Sequence, residues 1–163
     1  LAAPRNRGAV LITTRWLKTG DNPLGAEQTA FDQTAQAIRD DRPKFLAGFF
    51  EKFFNVTPVA QPVSQELLEW VRSVGMQASL EATLACARSF TTTDFRAELA
   101  AFKVPTLIIH GTDDKIVPIE ASSRLTAKGI AQSFLLEYEG APHGLFATHK
   151  ARLTTDLLDF LKV

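Results

Sequence analysis

Three short apolar runs punctuate the chain, Ala9–Thr13, Val104–His110 and Phe134–Tyr138. Each is rich in Val, Ile, Leu or aromatic residues, with glycine or proline at its borders, and each predicts a β-strand. The middle run, Thr106-Leu107-Ile108-Ile109, is continuously apolar. That is the pattern of a parallel strand covered by helices on both faces, and it predicts a central place in the sheet. Pro105 stands at its start, where a missing backbone donor is tolerated. A helix is expected over Glu120–Lys128, closed by Gly129 as a left-handed cap. Near the end of the chain Leu153, Leu157, Leu158 and Leu161 recur at helical spacing among Arg152, Asp156, Asp159 and Lys162, which predicts a helix with one face on the sheet.

Residues 14–103 separate the first two strands, far more than the dozen or so that a parallel crossover needs. Their pattern is helical over Ala26–Asp40, Pro43–Phe54, Ser64–Val74 and Leu80–Phe90, with breaks at Pro58, Pro62 and Gly75. A helical cap over residues 20–90 is therefore expected above the strand ends. Phe45, Phe49 and Phe53 repeat every four residues with Phe50 and Phe54 beside them, a helix face that fills a core or lines an apolar pocket. The succession of strand, long insertion, strand, helix, strand, helix belongs to the α/β class, a doubly wound parallel sheet.

Composition narrows the functions. With 18 Lys and Arg against 18 Asp and Glu, the basic excess that phosphate-backbone binding requires is missing, so nucleic acid is not an expected partner. No apolar run approaches the ~20 residues that span a bilayer, and no membrane partner is expected. The chain reads as soluble and cytoplasmic. The single cysteine, Cys86, lies in Thr83-Leu84-Ala85-Cys86-Ala87 and reads as a small buried residue on a helix. The only methionine is Met76, so the 163 residues are expected to be a processed, truncated or excerpted piece.

Two loops carry the candidate chemistry. His110-Gly111-Thr112-Asp113-Asp114-Lys115-Ile116-Val117-Pro118 follows the middle strand, and Gly140-Ala141-Pro142-His143-Gly144-Leu145 follows the last. Loops at the carboxyl ends of parallel strands converge on the ligand crevice. A carboxylate that accepts the Nδ1 proton of a histidine fixes its tautomer and leaves Nε2 free to take a proton from a nucleophile. Asp113 and Asp114 are both placed to partner His143, and the 29 residues from Asp114 to His143 leave room for the intervening helix and strand. A metal site from Asp113, Asp114, His143 and His149 fits no compact ligand spacing, and no metal or cofactor is expected.

With Leu17-Lys18-Thr19 and Asn22-Pro23, and Ser89-Phe90-Thr91 with Thr93-Asp94-Phe95, these two loops resemble the α/β-hydrolases of the cofactor-free haloperoxidase and aryl esterase group. The resemblance covers essentially the whole chain but only the C-terminal portion of that family's fold. It implies that Asp114 is the acid and His143 the base of a catalytic triad, with His110 a structural hydrogen-bonding residue at the strand end. It also implies a serine hydrolase acting on small esters or acyl compounds, a carboxylesterase with perhydrolase or haloperoxidase-like chemistry. Trp16, Ile116 and Leu145 are the expected pocket residues.

Such enzymes carry the serine in Gly-x-Ser-x-Gly on a sharp strand-to-helix turn. None of Ser64, Ser73, Ser79, Ser89, Ser122, Ser123 and Ser133 has glycine at both offsets. The expected partner is accordingly a complementary N-terminal segment bearing the nucleophile, or a second copy closing the sheet edge. A noncatalytic fragment acting by association is the alternative.

Overall fold

The computed structural model describes residues 8–9 and 18–162. Strands β1 (Gly8–Ala9), β2 (Thr106–Gly111) and β3 (Ser133–Tyr138) form a parallel sheet in the order β1-β2-β3 among the described residues. The rest of the run expected as the first strand lies outside them. Strand β2 occupies the centre and is buried along its whole length, as its unbroken apolar character requires. Its register with β3 runs from Thr106 opposite Ser133 to Gly111 opposite Tyr138.

Side chains alternate across β2. Leu107 and Ile109 join Tyr138, Ala141 and Leu145 in a core closed by Leu136, Leu153, Leu157 and Phe160. The last three belong to the closing helix, α7 (Lys150–Lys162). Positions 153, 157 and 160 form one stripe at helical spacing, so Phe160 takes the place expected for Leu158 and Leu161, which are exposed on the neighbouring stripe. Tyr138 is wholly buried, with Arg152 over its ring and its hydroxyl donating to Asp156 Oδ2 at 2.5 Å. Burial and that carboxylate together push the phenol up to about 12.

On the opposite face, the crossover from β2 to β3 runs through a 3-10 turn at Ile119–Ala121 and helix α5 (Ser123–Gly129). Gly129 ends α5 without the left-handed conformation expected of it. Its reason is packing: a Cβ there would fall 2.5 Å from Leu99 Cδ1.

Among the described residues four α-helices precede β2: α1 (Gln28–Asp40), α2 (Arg42–Phe53), α3 (Gln65–Gln77) and α4 (Leu80–Thr92). The Asp41, Ser64 and Ser79 side chains cap α2, α3 and α4 by accepting from Lys44 N, Leu67 N and Ala82 N. Gly75, expected to break the chain, continues α3, because Leu46 and Phe50 of α2 pack against the space a side chain would fill. Cys86 lies on α4 as expected, yet it is exposed. The half-buried stripe of α4 runs through Thr83, Leu84, Ala87 and Thr91, and Cys86 falls between its turns. Among the described residues no helix is long and apolar enough to cross a membrane.

Two of the sequence segments quoted above meet in space. Arg96 bridges Asp21 and Asp94 through Nη2, each at 2.7 Å, and so ties the turn before Asn22-Pro23 to the segment leading into β2. The hydrogen bond from Thr19, followed by that from Arg96, holds Asp21 down to about 2.

Candidate active site

Beyond the last ladder pair, the backbones of the two loops stay hydrogen-bonded. Thr112 N donates to Tyr138 O at 2.9 Å, Asp113 N to Ala141 O at 3.1 Å, and Gly140 N to Thr112 Oγ1 at 2.8 Å. Gly140 turns the chain at φ 66°, a conformation glycine adopts at little cost. Sheet geometry therefore extends into the loops and delivers Asp114 and His143 to one point.

There His143 Nδ1 lies 2.7 Å from Asp114 Oδ2. Every acceptor position of the carboxylate is used. Oδ1 accepts from Ile116 N and Val117 N, both at 2.8 Å, and Oδ2 also faces His110 Nε2 at 3.0 Å. The Asp114 side chain is 2% exposed and that of His143 is 29% exposed. Burial works to raise the Asp114 pKa, but the hydrogen bonds from His110, His143 and Val117 outweigh it and hold the carboxyl well below the usual range. An ionised carboxylate at Nδ1 favours the proton there, so in the neutral imidazole Nε2 of His143 carries the lone pair. No hydrogen bond reaches Nε2 among the described residues.

The neighbouring carboxylate is differently placed. Asp113 accepts from Lys115 Nζ through Oδ1 and from Asn55 Nδ2 at 2.8 Å through Oδ2, and its side chain is partly exposed. His149, at the junction of α6 (Leu145–Thr148) and α7, bonds Thr148 Oγ1 through Nδ1 and lies apart from the pair. Among the described residues no group of three or more His, Cys, Asp or Glu side chains is arranged to hold a metal.

A Ser-His-Asp chain lies alongside the pair. Ser123 Oγ lies 2.6 Å from His110 Nδ1, and His110 Nε2 reaches both Val117 O at 2.9 Å and Asp114 Oδ2. Ser123 is 2% exposed and His110 5%, so no substrate reaches this hydroxyl. It supports the site from below, and it is not a nucleophile.

The expected pocket residues fare unequally. Leu145 is buried in the core between sheet and α7, a correction to its expected place on the crevice, because α6 turns its first residue back onto the sheet. Ile116 is half-buried and serves Asp114 through its amide. Trp16 lies outside the described residues. The wall beside the imidazole comes from elsewhere: the Phe53 ring meets His143 edge-on at 4.7 Å, and Phe146 meets Phe53 at 6.1 Å. An open depression of about 630 Å³ adjoins the site, lined in part by Lys52, Asn55, Gln61, Asp113 and His149.

Sequence reasoning missed that the last turn of α2 touches both loops. Gly144 N donates to Phe53 O at 2.8 Å, and a Cβ on Gly144 would fall 2.3 Å from the ring of the buried Phe54. Asn55 adopts φ 56° and donates to Asp113 O at 2.9 Å. The preference of asparagine for a left-handed position after a helix was the available signal, and it says nothing of the partner.

The depressed Asp114 predicts an acid-side loss of stability. A carboxyl with a lowered folded pKa contributes stability above its unfolded pKa and loses it as pH falls through the folded value. Urea midpoints should therefore decline from about pH 4 downward on this account. The decline should be shallower in Asp114→Asn, which starts less stable at neutral pH; equal acid slopes in the two proteins would remove Asp114 as the cause.

Comparison with known proteins agrees with the architecture. Residues 81–150 match the family model of the alpha/beta hydrolase fold. The chain is 33% identical over 162 residues to the non-heme chloroperoxidase CPO-A1 of Kitasatospora aureofaciens, covering 96% of this chain and 59% of the relative. It is 34% identical over 162 residues to a bifunctional esterase/perhydrolase of Acinetobacter calcoaceticus, covering 94% of this chain and 57% of that one. The crystal structure of a bromoperoxidase from Bacillus anthracis superposes with a TM-score of 0.87 at 36% identity, over 92% of this chain and 55% of the other.

Fold and relatives together define the α/β-hydrolase fold. Within it the chain is similar to the non-haem haloperoxidase group, and it spans about half the length of the relatives it matches.

Proposed function

We propose that this chain supplies the acid, Asp114, and the general base, His143, of a serine hydrolase acting on small esters or acyl compounds. The observation that carries the reading is the buried Asp114 carboxylate 2.7 Å from Nδ1 of an imidazole whose other edge is partly exposed. The esterase and haloperoxidase relatives support the same class.

His143 Nε2 takes the proton of a serine hydroxyl as the serine oxygen attacks the ester carbonyl. The tetrahedral intermediate collapses, the alkoxide leaves with the proton held on Nε2, and an acyl-serine remains. Water then attacks with the same base, releasing acid and serine. Asp114 stays ionised throughout and stabilises the imidazolium. Phe53 and Phe146 offer an apolar wall beside the imidazole, suited to a short acyl or aryl group. Peroxide in place of water gives a peracid, the perhydrolase variant of the same steps. No cofactor enters this scheme.

The nucleophile in this reading belongs to a complementary segment carrying the serine turn, since no serine of these residues has the required flanks. Treating the full-length protein with a fluorophosphonate and mapping the adduct by mass spectrometry tests it. One labelled serine is expected, on a glycine-flanked turn outside these residues, with hydrolysis of a short-chain nitrophenyl ester lost in parallel. Labelling of Ser123, or undiminished hydrolysis after complete labelling, would overturn it.

A further inference from the structure

We infer that His110 is a positioning residue that sets the working pH of His143 by sharing the Asp114 carboxylate with it; the inference rests on the reading of His143 as general base. Nε2 of His110 faces two acceptors, Val117 O at 2.9 Å and Asp114 Oδ2 at 3.0 Å, so it carries a proton and donates. The tautomer is held from the other edge, where Ser123 Oγ lies 2.6 Å from Nδ1. Asp114 Oδ2 thus stands between two imidazoles, one sealed beneath the site and one open to it.

Charge drawn toward the His110 N–H is not available to the His143 imidazolium. Oδ2 therefore stabilises an imidazolium at His143 less than it would with a single imidazole partner. The sign is the same for neutral and protonated His110, because in both the Nε2–H stands 3.0 Å from the same oxygen.

Other charges around the pair are accounted for. Glu137 on β3, opposite His110 in register, is engaged by Arg124 of α5 at 2.6 Å, and Arg124 also meets Glu120 at 2.9 Å. On the acid loop Asp113 and Lys115 pair with each other. The α2 residue against His143 is Phe53, which carries no charge. Lys52 of α2 lines the adjoining depression.

The test is the titration of His143 by NMR, followed alongside the pH profile of ester hydrolysis, in the full-length protein. His110→Phe removes the shared donor and should move the His143 titration and the acid limb of the profile up together, by roughly half a unit to one unit. His110→Gln retains a donor and should restore most of the wild-type value. Ser123→Ala, which only weakens the hold on Nδ1, should shift both in the same direction by less. This milder variant, with His110→Gln, decides the matter if His110→Phe does not fold. An unchanged His143 titration in both Ser123→Ala and His110→Phe, or equal shifts in the Phe and Gln variants, overturns the inference. Because the titration is read without turnover, its failure is distinct from failure of the hydrolase reading, which His143→Ala decides.

Discussion

Replacing His143 by Ala in the full-length protein is expected to lower kcat for a short-chain aryl ester by about 10³-fold, within the range for loss of a positioned general base. The fall should appear in kcat with little change in KM, because the imidazole acts on the proton in flight and not on the resting ester. In free-energy terms the loss is about 4 kcal/mol of transition-state stabilisation. Fold stability should change far less, since the ring is partly exposed and its loss leaves Asp114 with three donors, from Ile116, Val117 and His110. Combining His143→Ala with Asp114→Asn should cost little more than His143→Ala alone, as groups acting as one unit do not add. Steady-state kinetics on the purified proteins decide this, and activity within a few-fold of wild type would take His143 out of the mechanism.

The largest stability effect is expected at Gly111. A Cβ on this residue would fall 2.1 Å from the carbonyl oxygen of Ala141, 2.6 Å from its carbonyl carbon and 2.8 Å from Pro142 O. All three are backbone atoms, so no rotamer change relieves the overlap and the base loop has to move as a whole. That movement stretches the Asp113 N to Ala141 O bond that joins the loops. Gly111→Ala should cost about 3 kcal/mol, at the upper end of overpacking substitutions. For a domain of this size the melting temperature should drop by roughly 10 °C. Circular dichroism melting measures it directly. Retention of the wild-type melting point to within about 2 °C would mean that the loops are not in the close contact described.

Much of the architecture was readable from local pattern. The apolar run of β2 announced a buried central strand, and the helical patterns beginning at Ser64 and Leu80 announced α3 and α4, because these signals lie within a few residues of what they specify. Asp114 and His143 were legible as a pair of motifs at equivalent strand ends. What escaped depends on contacts between distant segments. Asn55 reaches Asp113 across 58 residues, and nothing near either position advertises the bond. Gly75 and Gly129 were read as backbone punctuation, whereas both make room for side chains from other elements. Leu145 and Cys86 show the same limit from the other side. An apolar residue in a site loop went to the core, and a small apolar residue on a helix went to the surface, each decided by which stripe its element turned inward.

The hydrogen bonds that carry the β2–β3 ladder past its last strand pair have a further consequence. They make the spacing between adjacent parallel strands, about 4.8 Å, the ruler against which acid and base are set. Loop length then has little influence on that distance, and insertions after Val117 or after α6 should leave the couple intact. The Asp114–His143 couple is therefore set by the sheet itself, with the partly exposed edge of the imidazole held at a fixed place above the strand ends.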